Sequence, residues 1–291
     1  MQEFVNNKYI LVIGGAGFIG SNLCVRLFNE GTHKIVVLDN YFTGSTLNHI
    51  RGVEYIKGNS NEISRLIKFS PEYIYHLGEY SRVEQSFDDK NLVWEFNSKS
   101  IYDVLDFAIT HNSKLIYAGS STKFTKDTFG RNLSPYSWSK AANTELIINY
   151  GNWYNLNYAI VYFYNVYGPN EINTGKYATL IGIYKQAVIE KKPLKVVLPG
   201  NQSRNFTHVS DIVDGLLLVG KNGIGDEFGI GSNDAYTVLE IAKLFKSEII
   251  FLPERKGNRM ESELVTNKTK ALGWEAKKSL KNYINEFLNE L

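Results

Sequence analysis

The apolar run Tyr9-Ile-Leu-Val-Ile13 passes directly into glycines at positions 14, 17 and 20. Such a segment constrains the fold strongly, because a strand must turn at once into a helix packed tightly against it. The three glycines serve different ends, since one permits the tight turn, one lets backbone approach a pyrophosphate, and one allows close packing of helix on strand. The following helix carries Leu23, Val25, Leu27 and Phe28, and a second strand, Lys34-Ile-Val-Val-Leu38, ends at Asp39. Asp39 stands 19 positions after Gly20, the distance at which a carboxylate reaches an adenosine ribose. This strand, helix, strand and acid sequence reads as a dinucleotide site. Gly14, Gly17, Phe18, Ile19, Gly20 and Asp39 are its candidate contacts. A carboxylate there repels a 2′-phosphate, so the expected cofactor is NAD rather than NADP.

Strand-like runs recur at 9–13, 34–38, 53–56, 73–77, 114–118 and 158–163, separated by segments of helical spacing. The alternation predicts an α/β protein, a Rossmann-type doubly wound parallel sheet. Helices are expected at roughly 91–111 and after Ser134-Pro135, an N-cap followed by proline at the first helical position. Beyond Tyr167-Gly168-Pro169 the alternation gives way to shorter elements. Residues 1–167 are therefore expected to form the cofactor domain, and 168–291 a smaller C-terminal substrate-binding lobe, partly interleaved with it. A length of 291 residues with 43% hydrophobic content suits a globular enzyme. A net charge of +2 without a long basic run gives no sign of a nucleic-acid surface. The single cysteine, Cys24, supports neither a disulfide framework nor a thiolate metal site, and no metal is expected. No apolar run approaches membrane-spanning length, and the expected location is the cytoplasm.

Tyr136 and Lys140 stand four apart, hence on one helix face, and form the only Tyr-x-x-x-Lys among 19 tyrosines. Their place after the fifth expected strand puts the helix beside a bound nicotinamide, where Lys140 approaches both its ribose and the phenol. A free tyrosine has a pKa near 10, so a tyrosinate base at neutral pH needs a shift of roughly 3 units, about 4 kcal/mol. A unit charge at about 4 Å supplies energy on that scale at an effective dielectric of about 20. Ser120, just past the fifth strand, is the candidate for orienting a substrate hydroxyl.

At this point the chain resembles the extended short-chain dehydrogenases/reductases, in the branch of nucleotide-sugar epimerases and dehydratases. The resemblance rests on Gly14-Gly-Ala-Gly-Phe-Ile-Gly20, Asp39-Asn40, His76-Leu77, Asn97, Ser120, Pro135-Tyr136-x-x-x-Lys140, Tyr164-Asn165-Val-Tyr-Gly-Pro169, Arg204-Asn-Phe-Thr-His-Val-Ser-Asp211 and Leu272-Gly-Trp274. It implies removal of a sugar hydroxyl proton by tyrosinate and hydride transfer to NAD, usually at C4. It also implies catalytic roles for Tyr136, Lys140 and Ser120, and cofactor contacts from Asn40, Asn59, Ser60, Leu77, Gly78 and Glu79. Ser121, Asn165, Arg204 and Arg255 then meet the substrate, the arginines at its diphosphate, and the protein pairs as a homodimer through the helices near 91–111 and 136–154.

Departures from the family narrow the reaction. Ser121-Thr122 stands where dehydratases carry an acidic pair, and no cysteine lies near Ser120 for C3 and C5 epimerisation. The leading expectation is a nucleoside-diphosphate sugar 4-epimerase; the alternatives are a net 4-dehydrogenase and a non-catalytic NAD-binding sensor. Glu79 replaces a small residue beside the nicotinamide, with Arg82 and Glu84 on the same loop. The carboxylate either stabilises oxidised nicotinamide or pairs with Arg82. Asn59 stands where an Asp usually meets the adenine amine, and retains an acceptor for it.

Overall fold

The protein is seen in a computed structural model that describes residues 8–124, 130–253 and 263–291. Seven parallel strands form the central sheet: β1 (Tyr9–Ile13), β2 (Lys34–Asp39), β3 (Glu54–Lys57), β4 (Tyr73–His76), β5 (Lys114–Ser120), β6 (Tyr158–Phe163) and β7 (Gly225–Ile230). Their order is β7-β6-β5-β4-β1-β2-β3. The direction of winding reverses between β1 and β4, and in open sheets of this kind ligands bind in the crevice beyond the strand ends at such a point.

Alternation along the strands divides the core into two layers. Ile10, Val12, Ile35 and Val37 pack with Leu23 and Leu27 of α1 (Phe18–Glu30). Leu11, Ile13, Val36 and Leu38 pack on the opposite face with Val104 and Leu105 of α2 (Ser100–Thr110) and Ile147 of α3 (Pro135–Tyr154). Burial on both faces explains why these strands read as continuous apolar runs. Cys24 is a buried member of the first layer.

Two elements differ from the sequence expectation. The segment 91–111 is not one regular helix: an α-helical turn, Lys90–Val93, passes through a π-helical stretch, Trp94–Lys99, into α2. The stretch carries Asn97, whose side chain accepts from Tyr80 N at 2.8 Å and donates to Ser139 Oγ at 3.0 Å. The seventh strand comes from beyond residue 167. β7 begins Gly-Asp-Glu, is buried only over Phe228–Ile230, and shifts register between Gly225 and Phe228, so it lacks an apolar run. Helix α4 (Val209–Asn222) also returns to the main sheet, burying Ile212, Val213, Leu216 and Val219 against it. The remaining elements enclose a smaller core of Tyr167, Ile181, Tyr184, Val196, Phe245 and Ile284. Among the described residues no helix is long and apolar enough to cross a membrane, and no group of three metal-ligating side chains occurs.

Candidate active site

The turn after β1 fits a dinucleotide. Gly14 has φ +83°, and a Cβ there would lie 2.6 Å from Gly78 Cα; at Gly20 a Cβ would lie 2.1 Å from Gly14 O. Gly17 caps α1 without any side-chain hydrogen bond and faces a cavity of about 600 Å³. Among the described residues the first amides of α1 therefore have no side-chain cap, which is the usual provision for a phosphate. Asp39 seals the strand end: its Oδ2 accepts from Ala16 N at 2.9 Å and its Oδ1 from Tyr41 N at 2.8 Å. Burial raises the pKa of this carboxyl, while the two amide bonds oppose the rise.

The cavity gathers most of the residues singled out from the sequence. Gly14, Gly17, Phe18, Ile19, Gly20, Asp39, Asn40, Leu77, Gly78 and Glu79 line it, as do Ser120, Ser121, Tyr136, Lys140, Asn165 and Arg204. Asn59 and Ser60 line an adjoining pocket that shares Gly14, Asp39, Asn40 and Gly78 with the first. Asn59 Oδ1 already accepts from Asn40 Nδ2 at 2.9 Å. Arg255 lies outside the described residues.

Helix α3 begins as its sequence dictates. Ser134 Oγ accepts from Ser137 N at 3.1 Å and Pro135 occupies the first turn, fixing the entry of the helix that carries Tyr136 and Lys140. Tyr136 is 9% exposed. Lys140 Nζ donates to the Ala118 carbonyl at 2.7 Å. Ser120 Oγ lies 2.9 Å from Thr122 Oγ1 and accepts from Thr122 N at 3.3 Å. Asn165 Nδ2 donates to Asn205 O at 2.9 Å, and Arg204 Nη1 to Ser203 O at 2.8 Å.

Glu79 does not pair with Arg82. Its Oε2 lies 2.6 Å from Lys140 Nζ and accepts from Tyr117 Oη at 2.7 Å, and its Oε1 accepts from Asn143 Nδ2 at 3.0 Å. The Glu79 side chain is 1% exposed, so it escapes the loop on which it stands and turns inward under α3. His76 Nε2 is 3.6 Å from Glu79 Oε1, and burial pushes the imidazole down to about 4, leaving it neutral at pH 7. Burial also pushes the Tyr117 phenol well up, with Glu79 adding to the rise. Arg82 instead donates from Nε to the Tyr177 carbonyl at 3.0 Å. Tyr117 and Asn143 were not singled out from the sequence. The signal for Asn143 was its spacing, which continues the Tyr136 and Lys140 face at the next helical turn.

Comparison with known proteins agrees with this geometry. The family model described as the NAD dependent epimerase/dehydratase family matches residues 10–231. The chain is 28% identical over 299 residues to a Methanocaldococcus jannaschii protein that carries a provisional UDP-glucose 4-epimerase name, covering 96% of this chain and 97% of that one. It is 26% identical over 305 residues to UDP-glucuronic acid decarboxylase 1 of Danio rerio, covering 97% and 72% respectively. Among solved structures, a UDP-glucose 4-epimerase of Thermotoga maritima, crystallised with UDP-glucose, has a TM-score of 0.88 at 26% identity, with 97% of each chain covered. The chain belongs to the NAD dependent epimerase/dehydratase family, its cofactor is NAD, and it is an extended short-chain dehydrogenase/reductase of the nucleotide-sugar epimerase/dehydratase type.

Proposed function

We propose that this enzyme oxidises C4 of a nucleoside-diphosphate sugar and returns the hydride to the opposite face, as a 4-epimerase. One observation carries the reading: Tyr136, Lys140 and Ser120 line the same cavity as the uncapped glycine turn, together with Asn165 and Arg204 from beyond β6. In this reading Tyr136 takes the proton of the C4 hydroxyl, Ser120 orients that hydroxyl, and Lys140 holds the ribose beside the phenol. NAD, when bound, supplies the hydride acceptor. Asn165 contacts the sugar, and the guanidinium of Arg204 suits the diphosphate, because its planar fork engages two oxygens at once. The second lobe, residues 168–291, holds the nucleotide, and Arg255 is proposed as its second diphosphate ligand. Phe18, Ile19, Asn40, Asn59, Ser60, Leu77 and Gly78 are proposed cofactor contacts on the same ground.

Release of a 4-keto product is the second reading, suggested by Glu79, which is buried against Lys140 at a place where the family carries a small residue. Ser121-Thr122 argues against dehydration, which requires an acid and base in that place. Proton NMR of products from a panel of UDP- and dTDP-sugars, with bound-cofactor absorbance followed in parallel, tests these readings. An inverted C4 without accumulating NADH supports the epimerase, and a 4-keto product with accumulating NADH the dehydrogenase. Failure to convert any sugar nucleotide while binding NAD refutes both and leaves an NAD-binding sensor. Tyr136→Phe is expected to retain NAD binding and abolish turnover.

We also propose a homodimer through α2 and α3. Their outer faces carry half-exposed Tyr102, Trp138, Trp153 and Tyr154, the π-helical stretch before α2 adds Trp94, and Trp94 and Trp138 line one apolar groove with Phe87 and Pro135. Sedimentation of Trp138→Glu as a monomer beside a dimeric wild type is the expected result; a monomeric wild type rules it out.

A further inference from the structure

We propose that residues 169–179 form a strap across the dinucleotide crevice, and that its latch on Asp89 sets how fast NAD enters and leaves. One end of the segment is tied to α1, the helix that follows the glycine turn. Asn22 Nδ2 donates to Pro169 O at 3.0 Å, and Asn170 Nδ2 to Ser21 Oγ at 3.1 Å. The other end is tied to the loop after β4, where Arg82 Nε donates to Tyr177 O at 3.0 Å and Gln85 Nε2 to Lys176 O at 3.2 Å. Asp89 is the hub of this end. Its Oδ1 lies 2.7 Å from Lys176 Nζ, and its Oδ2 accepts from Tyr177 Oη at 2.9 Å and from Tyr80 Oη at 2.8 Å. The Tyr177 ring also packs on Phe42, of the loop after β2, with centroids 5.1 Å apart. Because the winding reverses between β1 and β4, a segment fixed to α1 at one end and to the loop after β4 at the other spans the crevice. Ile172, Ala178 and Thr179 of the strap line the cavity together with Gly14, Gly17 and Asp39.

The strap holds its own shape. Thr179 N donates to Ile172 O at 2.8 Å and Thr179 Oγ1 to Glu171 Oε2 at 2.7 Å, while the same hydroxyl oxygen accepts from Gly182 N at 3.2 Å and caps the helix Leu180–Ile189. Its hold on the far side of the crevice is looser. Residues 173–176 are exposed, and the Lys176 and Asp89 side chains are 43% and 13% exposed, so each latch contact is weak by itself and the latch opens without disturbing the core. Every latch contact joins one part of the chain to another, hence the latch holds the strap in the free and the loaded protein alike. Such a latch governs rates and not affinity, because cofactor passes through the open form in both directions. A side chain that bound NAD directly would change the affinity instead.

The test is stopped-flow release of NADH into excess NAD, read by the fluorescence of the reduced cofactor, with Kd from a fluorescence titration. Asp89→Ala removes the hub and is expected to speed release on the order of tenfold, with entry rising by a similar factor. Its Kd is expected to stay within about twofold of the wild type. Lys176→Met, at an exposed position, is expected to speed release about threefold, which keeps the test open should Asp89→Ala fold poorly. The opposite perturbation closes the latch covalently: Gln85→Cys/Lys176→Cys, joined by a short bismaleimide, is expected to release NADH about tenfold more slowly than before joining. Cys24 is buried and does not compete for the reagent. Unchanged release in both Asp89→Ala and Lys176→Met overturns the latch, as does equally fast release from the joined protein. A rise in Kd with unmoved entry also overturns it, since that is the mark of a direct NAD contact. The measurement uses no sugar, so a protein that converts no sugar nucleotide defeats the proposed reaction and leaves the latch standing.

Discussion

Mild acid is expected to destabilise the protein through His76. The ring is fully buried at the end of β4, neither nitrogen has a hydrogen-bond partner among the described residues, and burial holds its pKa at about 4 against 6.5 for a free imidazole. Because the folded value is depressed, the unfolded chain binds one more proton throughout that window, and stability rises with pH across it. The full effect is about 3 kcal/mol, at about 1.4 kcal/mol per unit, and on lowering the pH from about 7.5 to about 5 it is about 2 kcal/mol. Glu171 works the other way: burial raises its carboxyl from 4.5 to about 6, so its contribution grows as pH falls through that interval. The wild-type curve alone therefore mixes the two. Urea unfolding of wild type and His76→Leu at both pH values isolates the imidazole, since leucine has similar volume and no proton to bind. The wild type is expected to lose about 2 kcal/mol more than the variant. Equal losses in the two proteins would refute the assignment of the effect to His76.

Three further outcomes follow from the geometry. Ser134→Ala removes the acceptor for the buried Ser137 amide and is expected to cost about 1–2 kcal/mol, lowering Tm in calorimetry by about 2–4 °C and reducing turnover through misplacement of Tyr136. Gly20→Ala forces a Cβ to 2.1 Å from Gly14 O and is expected to abolish NAD binding in equilibrium dialysis; Gly31→Ala meets no atom within 4 Å and is expected to bind NAD normally, at a strain cost of about 1 kcal/mol from its positive φ. Asp39→Ala deprives the Ala16 and Tyr41 amides of their acceptors, so fluorescence titration is expected to show weaker NAD binding and a smaller preference over NADP.

The first half of the fold was legible because its signals are local. A strand buried on both faces must be apolar through its middle, and β1, β2, β5 and β6 are; the serine cap and proline of α3 fix where that helix starts. The seventh strand was hidden by the same logic, because β7 buries only its last residues and opens with glycine and two acids. The π-helical stretch at Trp94–Lys99 was illegible because its cause is tertiary: Asn97 is drawn inward to bond Tyr80 and Ser139, and spacing along the chain does not encode that demand. The partner of Glu79 was missed for a related reason. Arg82 is three residues away in sequence and Lys140 is 61, yet the side chain turns under the sheet end toward the distant cation.

That inward turn separates stability from chemistry. Burying an ammonium and a carboxylate costs several kcal/mol of hydration per ion, and a well-packed apolar pair often serves folding as well or better. The site accepts the pair because its hydrogen bonds are made: Oε2 of Glu79 has Lys140 and Tyr117, Oε1 has Asn143, and Lys140 keeps the Ala118 carbonyl. Removing either partner alone strands the other charge, at about 3–5 kcal/mol, whereas removing both does not. The pair is thus held at the cavity end of the sheet by local hydrogen bonds rather than by any gain in folding free energy.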